Sequence, residues 1–175
     1  MAVVLVVTGP VGVGKSAVLN EAEVMLGDAG VRHATVVLQE IARCTDAGLG
    51  DPFNEQIMWR NLASLWSNYS ALGIDRLIVE KLVEQREQLR PLSQAVPGAR
   101  LTIVRLRAPL ELIEARIARR EPYPDGELSA ARWLAPRMDR WRCEDFLVDA
   151  SGTSVREIAA EVLRVAGWLP AGERT

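Results

Sequence analysis

The sequence predicts an α/β domain built on a five-stranded parallel sheet. Three observations predict it. Apolar, β-branched-rich runs at residues 3–7, 34–38, 76–79, 101–106 and 146–148 alternate with stretches of helical periodicity, the order expected when helical crossovers join parallel strands. The first run, Val3-Val4-Leu5-Val6-Val7, is apolar throughout rather than alternating, as in a central strand covered on both faces. The length of 175 residues suits a single domain over 1–175 that buries about 70% of its unfolded surface and needs no staple.

The elements follow in order. After the first strand, Thr8–Gly14 is a loop and Lys15 to about Leu26 a helix, with Val18, Leu19, Ala22, Met25 and Leu26 on its apolar face and Gly27 and Gly30 as its stop. The second strand ends at Gln39-Glu40. Residues 43–53 hold Gly48, Gly50, Asp51 and Pro52, a loop composition. Asp51 or Asn54 then caps a long helix to about Leu72, with Met58, Leu62, Leu65, Tyr69 and Leu72 as its stripe and Gly73 as its stop. The third strand ends at Glu80, residues 81–95 read as a helix, and Pro97-Gly98 break it. Beyond the fourth strand, Pro109 opens a helix that runs to Arg119-Arg120. Glu121–Gly126, with two prolines and a glycine, interrupts the chain like a lid, and Leu128 to about Cys143 is a helix broken near Pro136. After the fifth strand, residues 149–153 turn into a last helix, Val155–Ala166, capped by Ser154 or Thr153 with Glu157 near its positive end.

Composition narrows the chemistry. Hydrophobic residues are 49% and charged ones 25%, which excludes disorder. The net charge of −2 provides no general field for nucleic acid or anionic membrane, so any anion site is local and nucleic acid is not an expected partner. Cys44 and Cys143 form no C-x-x-C pattern and read as reduced thiols. His33 is the only histidine, so neither a zinc site nor a Ser-His-Asp triad can be assembled. Val3–Val7 lacks a basic leader and runs into a glycine loop, and no apolar run approaches the roughly 20 residues of a membrane span. The expectation is a cytoplasmic protein, monomeric or homodimeric.

Gly9-Pro10-Val11-Gly12-Val13-Gly14-Lys15-Ser16 matches G-x-x-x-x-G-K-[ST] at every fixed position. Glycines let successive backbone N–H groups turn inward onto phosphates, where a Cβ would obstruct the dihedral or the approach. The helix starting at Lys15, continued by Ala17, adds its positive end at the same point. Lys15 is long enough to reach the β- and γ-phosphates, and the Ser16 hydroxyl ligates Mg2+. Strand before and amphipathic helix after supply the context the motif requires. ATP, or a close relative, with Mg2+ is the expected ligand.

In an open parallel sheet the ligand sits beyond the carboxyl ends of the strands. Glu40, Glu80 and Asp149 each stand at such an end. Glu80 is the candidate to hold Mg2+ through water and to border the substrate; Glu40 is the candidate to bind substrate or act as base on an attacking hydroxyl. Both equally suit solvated acids capping the next helix. Asp149 reads as shaping a turn.

The stretch Val104-Arg-Leu-Arg-Ala-Pro-Leu-Glu-Leu-Ile-Glu-Ala-Arg116-Ile-Ala-Arg119-Arg120 resembles the run before the lid in nucleoside monophosphate kinases. The resemblance implies that Arg116 packs on the adenine and Arg120 points at the phosphates, with about 119–137 as lid and Arg132 and Arg137 as weaker candidates on its returning arm. Fixed positive charge and water exclusion are what phosphoryl transfer needs. A basic helix face paired with Glu111, Glu114 and Glu121 is the alternative. Val148-Asp-Ala-Ser-Gly-Thr-Ser-Val-Arg-Glu-Ile-Ala is similar to the end of small P-loop kinases, which implies that Ala150, Gly152 and Thr153 meet the adenine edge through their backbone.

From loop to last helix the chain resembles the P-loop kinases of small molecules: the nucleoside monophosphate, shikimate, gluconate, adenylylsulfate and chloramphenicol kinases. That group implies a three-layer α/β/α fold with strand order 2-3-1-4-5, ATP as donor and a small-molecule acceptor. Two departures stand out. Leu38-Gln39-Glu40 replaces an aspartate-bearing strand end, and Glu80-Lys81-Leu82 replaces a glycine-rich turn. Residues 43–75 occupy the place of an acceptor-side helical insertion, where Arg60 and Asn61, with Trp59, Trp66 and Asn68, suit a cyclic or aromatic hydroxylated acceptor or else a solvated face over a tryptophan core. The leading expectation is an ATP-dependent small-molecule kinase moving the γ-phosphoryl of MgATP to a hydroxyl or phosphate. The alternative is a nucleotide-binding regulatory module with slow ATPase activity, favoured by the missing aspartates.

Overall fold

Leu5 and Val7 of the first strand, β1 (Val3–Thr8), enter one core while Val4 and Val6 enter another, and none is more than 1% exposed. Strand alternation therefore feeds two buried layers, as the unbroken apolar run requires. The computed structural model describes residues 1–45, 50–152 and 154–169; Gly48 and Thr153, which the sequence places in loops, lie outside them.

The chain continues through α1 (Lys15–Asp28), β2 (Ala34–Val37), α2 (Glu55–Ala71), β3 (Arg76–Glu80), α3 (Leu92–Ala95), β4 (Arg100–Arg107), α4 (Leu110–Arg120), α5 (Asp125–Trp141), β5 (Phe146–Asp149) and α6 (Val155–Val165). The five strands are parallel in the order β2-β3-β1-β4-β5. The core fed by Leu5 and Val7 is completed by α1, α4, α5 and α6 through Leu19, Ile113, Ile117, Ala131 and Leu163. The core fed by Val4 and Val6 is completed by α2 and α3 through Met58, Leu62, Trp66 and Leu92. Three layers result.

Local rules account for the helix ends. Asp51 supplies the side-chain acceptor for α2: its Oδ2 takes the Gln56 N–H at 2.8 Å, and those backbone hydrogen bonds, Gln56 first, hold its carboxyl below the usual range. Asn54 stands at the cap position in left-handed conformation, φ 54°, and its amide instead donates to the carbonyls of Ala42 and Cys44. Ser154 and Glu157 form a reciprocal capping box on α6.

Two expectations are corrected. Residues 81–95 are not one helix: a 3-10 turn at Arg86–Leu89 and the four-residue α3 are all that forms. The Lys81 and Val83 N–H groups donate to the Val7 carbonyl at 3.3 Å and the Thr8 hydroxyl at 3.0 Å. The segment therefore stays alongside β1. Conversely, α5 begins at Asp125 and passes through Pro136 without ending. The interruption shrinks to 121–124, and Pro136 removes one donor from the ladder without stopping it. Among the described residues no helix is long and apolar enough to cross a membrane.

Candidate active site

The site forms where β1 ends. Gly9 has φ +145° and a Cβ there would lie 2.7 Å from the Leu106 carbonyl oxygen; Gly12 has φ +80° and its Cβ would lie 2.5 Å from the Ile117 side chain. Only glycine fits either position. Val13 plugs the loop into the core at 1% exposure, and its N–H donates to the Pro10 carbonyl at 3.3 Å. Between these anchors Val11 and Gly14 complete a concave turn at the start of α1.

Lys15 folds back over this turn. Its Nζ donates to the carbonyls of Gly9 at 3.1 Å and Pro10 at 3.2 Å. Burial pushes its pKa down, opposed by the nearby Glu80 carboxylate. A partly desolvated ammonium whose hydrogen bonds go to two carbonyls of the glycine loop is placed to meet an anion bound by that loop. Exposed Ser16 donates from Oγ to Glu80 Oε2 at 3.3 Å. Glu80 reaches that point because β3 pairs it with Val7 on one side and Val37 on the other. Hydroxyl and carboxylate together make an oxygen donor pair of the kind Mg2+ takes.

On the β4 side lies a cleft of about 550 Å3 bordered by Gly12, Val13, Gly14, Ala17, Arg116, Arg119, Arg120 and α6 residues Val155 and Ile158. Arg116 spans it. Its Nη1 donates to the Val13 carbonyl at 2.8 Å and its Nη2 to the Ala150 carbonyl at 2.9 Å, which joins the phosphate loop to the turn after β5. Asp149 shapes that turn by accepting the Ser151 N–H at 2.8 Å. Gly152 follows in the same turn, and Thr153 lies outside the described residues. Arg120 faces the cleft mouth but is engaged by Glu121 at 2.8 Å and Glu127 at 2.5 Å. Arg132 pairs with Glu114 at 2.6 Å, and Arg137 stacks on Trp133 at 4.2 Å.

On the β3 side a second cavity of about 420 Å3 adjoins the loop at Val11 and Lys15. Gln39, Glu55, Met58, Glu80, Lys81, Glu84 and Gln88 line it. Several residues expected here are elsewhere. Glu40 opens a 3-10 turn, is exposed, and pairs with Arg43 at 2.7 Å; its neighbour Gln39 faces the cavity instead. Arg60 is exposed on α2. Asn61 spends its amide on the Ile41 carbonyl at 2.6 Å, fastening α2 to the turn after β2. The cavity takes its α2 residues from the first turn, Glu55 and Met58, rather than from the tryptophan-bearing middle. Lys81 and Glu84 escaped sequence reasoning because, in a helix over 81–95, an i, i+3 pair of opposite charge reads as an ordinary solvated ion pair. The available signal was the pair Glu80-Lys81 directly at a strand end.

No family description matches the sequence, and no curated protein is significantly similar to it. Solved structures are similar. A gluconokinase from Sinorhizobium meliloti matches at 20% identity over 93% of this chain and 90% of its own, with a TM-score of 0.62. The tunicamycin resistance protein of Deinococcus radiodurans matches at 18% identity over 99% and 100%, with a TM-score of 0.66. The adenylylsulfate (APS) kinase of Mycobacterium tuberculosis, solved with AMPPNP and APS, matches at 22% identity over 95% and 98%, with a TM-score of 0.62. Two-layered helices around a sheet of order β2-β3-β1-β4-β5, running the length of these relatives, give this chain the fold of the P-loop small-molecule kinases.

Proposed function

We propose that this protein is a phosphotransferase that moves the γ-phosphoryl of MgATP to a small-molecule acceptor. One observation carries the reading: Lys15, Ser16 and Glu80 converge between two cavities, one bordered by Arg116 and one by Glu55, Lys81 and Glu84. A donor nucleotide on the β4 side and an acceptor on the β3 side would meet at the phosphate loop. A pure nucleotide-binding module has no need of the second cavity.

The roles follow from position. The amides of 9–14 and the Lys15 ammonium bind the phosphates and stabilise charge as it moves onto the leaving oxygen. Ser16, with Glu80 through water, would hold Mg2+, which supplies further charge neutralisation when bound. Arg116, fixed by two carbonyls, offers its guanidinium plane to the adenine, beside the backbone of Ala150 and Gly152. Residues 119–137 serve as lid. Closure exchanges the Arg120 pairs with Glu121 and Glu127 for phosphate oxygens and excludes water from the transfer. Gln39, Glu55, Lys81 and Glu84, rather than Glu40, Arg60 and Asn61, contact the acceptor.

The test is MgATP turnover across a panel of hydroxylated metabolites and antibiotics. Acceptor-dependent ADP release and a phosphorylated product are expected. Slow hydrolysis that no acceptor stimulates would move the protein to the regulatory class.

A further inference from the structure

The charges around the β3-side cavity bear on what enters it. Lys15 and Glu80 belong to the phosphate and metal groups, so Glu55, Lys81 and Glu84 remain for the acceptor. The Lys81 side chain is only 7% exposed, its ammonium lies 2.8 Å from Glu55, and it stands 5.5 Å from the centre of the Trp59 ring. A cation held between a carboxylate and an indole face is already neutralised. Glu84 differs. Its backbone N–H donates to Gln88 Oε1 at 2.8 Å, while its half-buried carboxylate has no hydrogen bond or ion pair among the described residues. The surplus charge facing the acceptor is negative.

No arginine lines this cavity among the described residues. Arg43 lines an adjoining cleft of about 500 Å3 that shares Gln39 and Phe53, and Glu40 holds it at 2.7 Å. Beside the amides of Gln39 and Gln88, the other walls are apolar: Val11, Val37, Phe53, Met58 and Leu82. An acidic acceptor would bring like charge beside both Glu84 and the transferring phosphoryl with no free cation to offset it.

Resting on the phosphotransferase reading, we propose that the acceptor is an uncharged or amine-bearing alcohol with an apolar part, and that Glu84 accepts a hydrogen bond from it and excludes acids. Carboxylate-, sulfate- and phosphate-bearing acceptors are disfavoured. The cavity volume fits a molecule of one or two rings.

Two probe sets of matched skeleton test this: glucose, glucosamine and gluconate, and phenylpropanediol, phenylserinol and phenyllactate. Each is titrated against MgATP-dependent ADP release, stimulation or competition being read as occupancy. The neutral and amine members should half-saturate at concentrations at least tenfold below the acids, equivalent to about 1.4 kcal/mol. Glu84→Gln should narrow that gap, and Glu84→Lys should reverse it, both with melting temperatures near wild type. An acid that engages as well as its neutral partner overturns the proposal. So does an unchanged order in Glu84→Lys, or engagement by no probe. An acid preference that vanishes in Arg43→Ala overturns it too and moves the acceptor to the neighbouring cleft. MgATP-induced stabilisation is measured alongside. Where it persists, these failures leave the nucleotide site standing; where wild type lacks it, the phosphotransferase reading falls as well.

Discussion

Replacing Lys15 with methionine separates the energetics of the empty loop from those of the occupied one. In the free protein two effects oppose each other. The variant relieves the burial that depresses the Lys15 pKa, and it strips the Gly9 and Pro10 carbonyls of donors at 3.1 and 3.2 Å. The two effects have opposite sign, so the empty variant should melt close to wild type. With MgATP the balance is one-sided. At 100 times its dissociation constant the nucleotide stabilises wild type by about 2.7 kcal/mol, roughly 5–10 °C for a chain of this length. Losing charge-assisted bonds worth about 3 kcal/mol weakens binding roughly 150-fold. The same nucleotide concentration then yields about 0.3 kcal/mol, a shift near 1 °C. Differential scanning fluorimetry with and without MgATP reads both numbers. The pH dependence has a definite sign. A lysine whose folded pKa lies below its unfolded value binds fewer protons when folded, so the empty protein gains stability as pH rises between the depressed value and the ordinary one. Phosphate favours the charged form, so nucleotide affinity falls over that same window. A methionine variant that keeps the full MgATP shift, or a wild type whose affinity rises with alkalinity, would refute the reasoning.

Three further outcomes follow from the geometry. Gly12→Val puts a Cβ 2.5 Å from buried Ile117 at a φ of +80°; strain and overpacking should cost about 3 kcal/mol, read as a lower denaturation midpoint together with lost nucleotide binding. Glu80→Gln breaks the donor pair with Ser16 at 3.3 Å, and should weaken ATP binding roughly tenfold or more in Mg2+ while leaving binding in EDTA unchanged by calorimetry. Arg116→Ala removes donors to two carbonyls on different elements; it should cost about 2 kcal/mol of stability and raise the MgATP dissociation constant about tenfold through the lost guanidinium face.

What the sequence disclosed depended on whether a local rule determined the answer. The phosphate loop was legible because its conformation depends on glycine at fixed positions. The sheet order came from likeness to a known group, since periodicity alone locates strands without ordering them. The segment 81–95 was misread, and its start is held by a non-local hydrogen bond, Val83 to the Thr8 hydroxyl across 75 residues. No window of sequence contains that bond. Asn61 looked like a ligand-binding amide for a related reason. An amide on a helix face is equally suited to a metabolite or to a backbone carbonyl, and the carbonyl of Ile41 happens to be 2.6 Å away. Glu40 and Gln39 are neighbours of opposite fate because the chain leaves β2 at Val37 and turns into a 3-10 helix at Glu40, so the strand alternation that would have aimed Glu40 inward has already ended.

The two arginines of α4 do different work before any ligand arrives, and the difference bears on how the proposed site assembles. Arg116 is committed to the Val13 and Ala150 carbonyls, so the floor of the proposed adenine cleft is preformed and binding there would spend little on ordering side chains. Arg120 sits in two ion pairs with its own side chain 56% exposed. Exposed pairs are worth about 0–1 kcal/mol each, less than one charge-assisted bond to phosphate at about 1.5–3 kcal/mol. Carboxylate partners therefore hold Arg120 near the cleft without competing with a nucleotide for it. Glu127 also offsets part of the lowering that the Arg120 charge exerts on the pKa of Lys15. In the proposed lid Glu121 and Glu127 would thus serve as temporary counter-ions, and closure that gives them up would have an energetic reason to wait for phosphate.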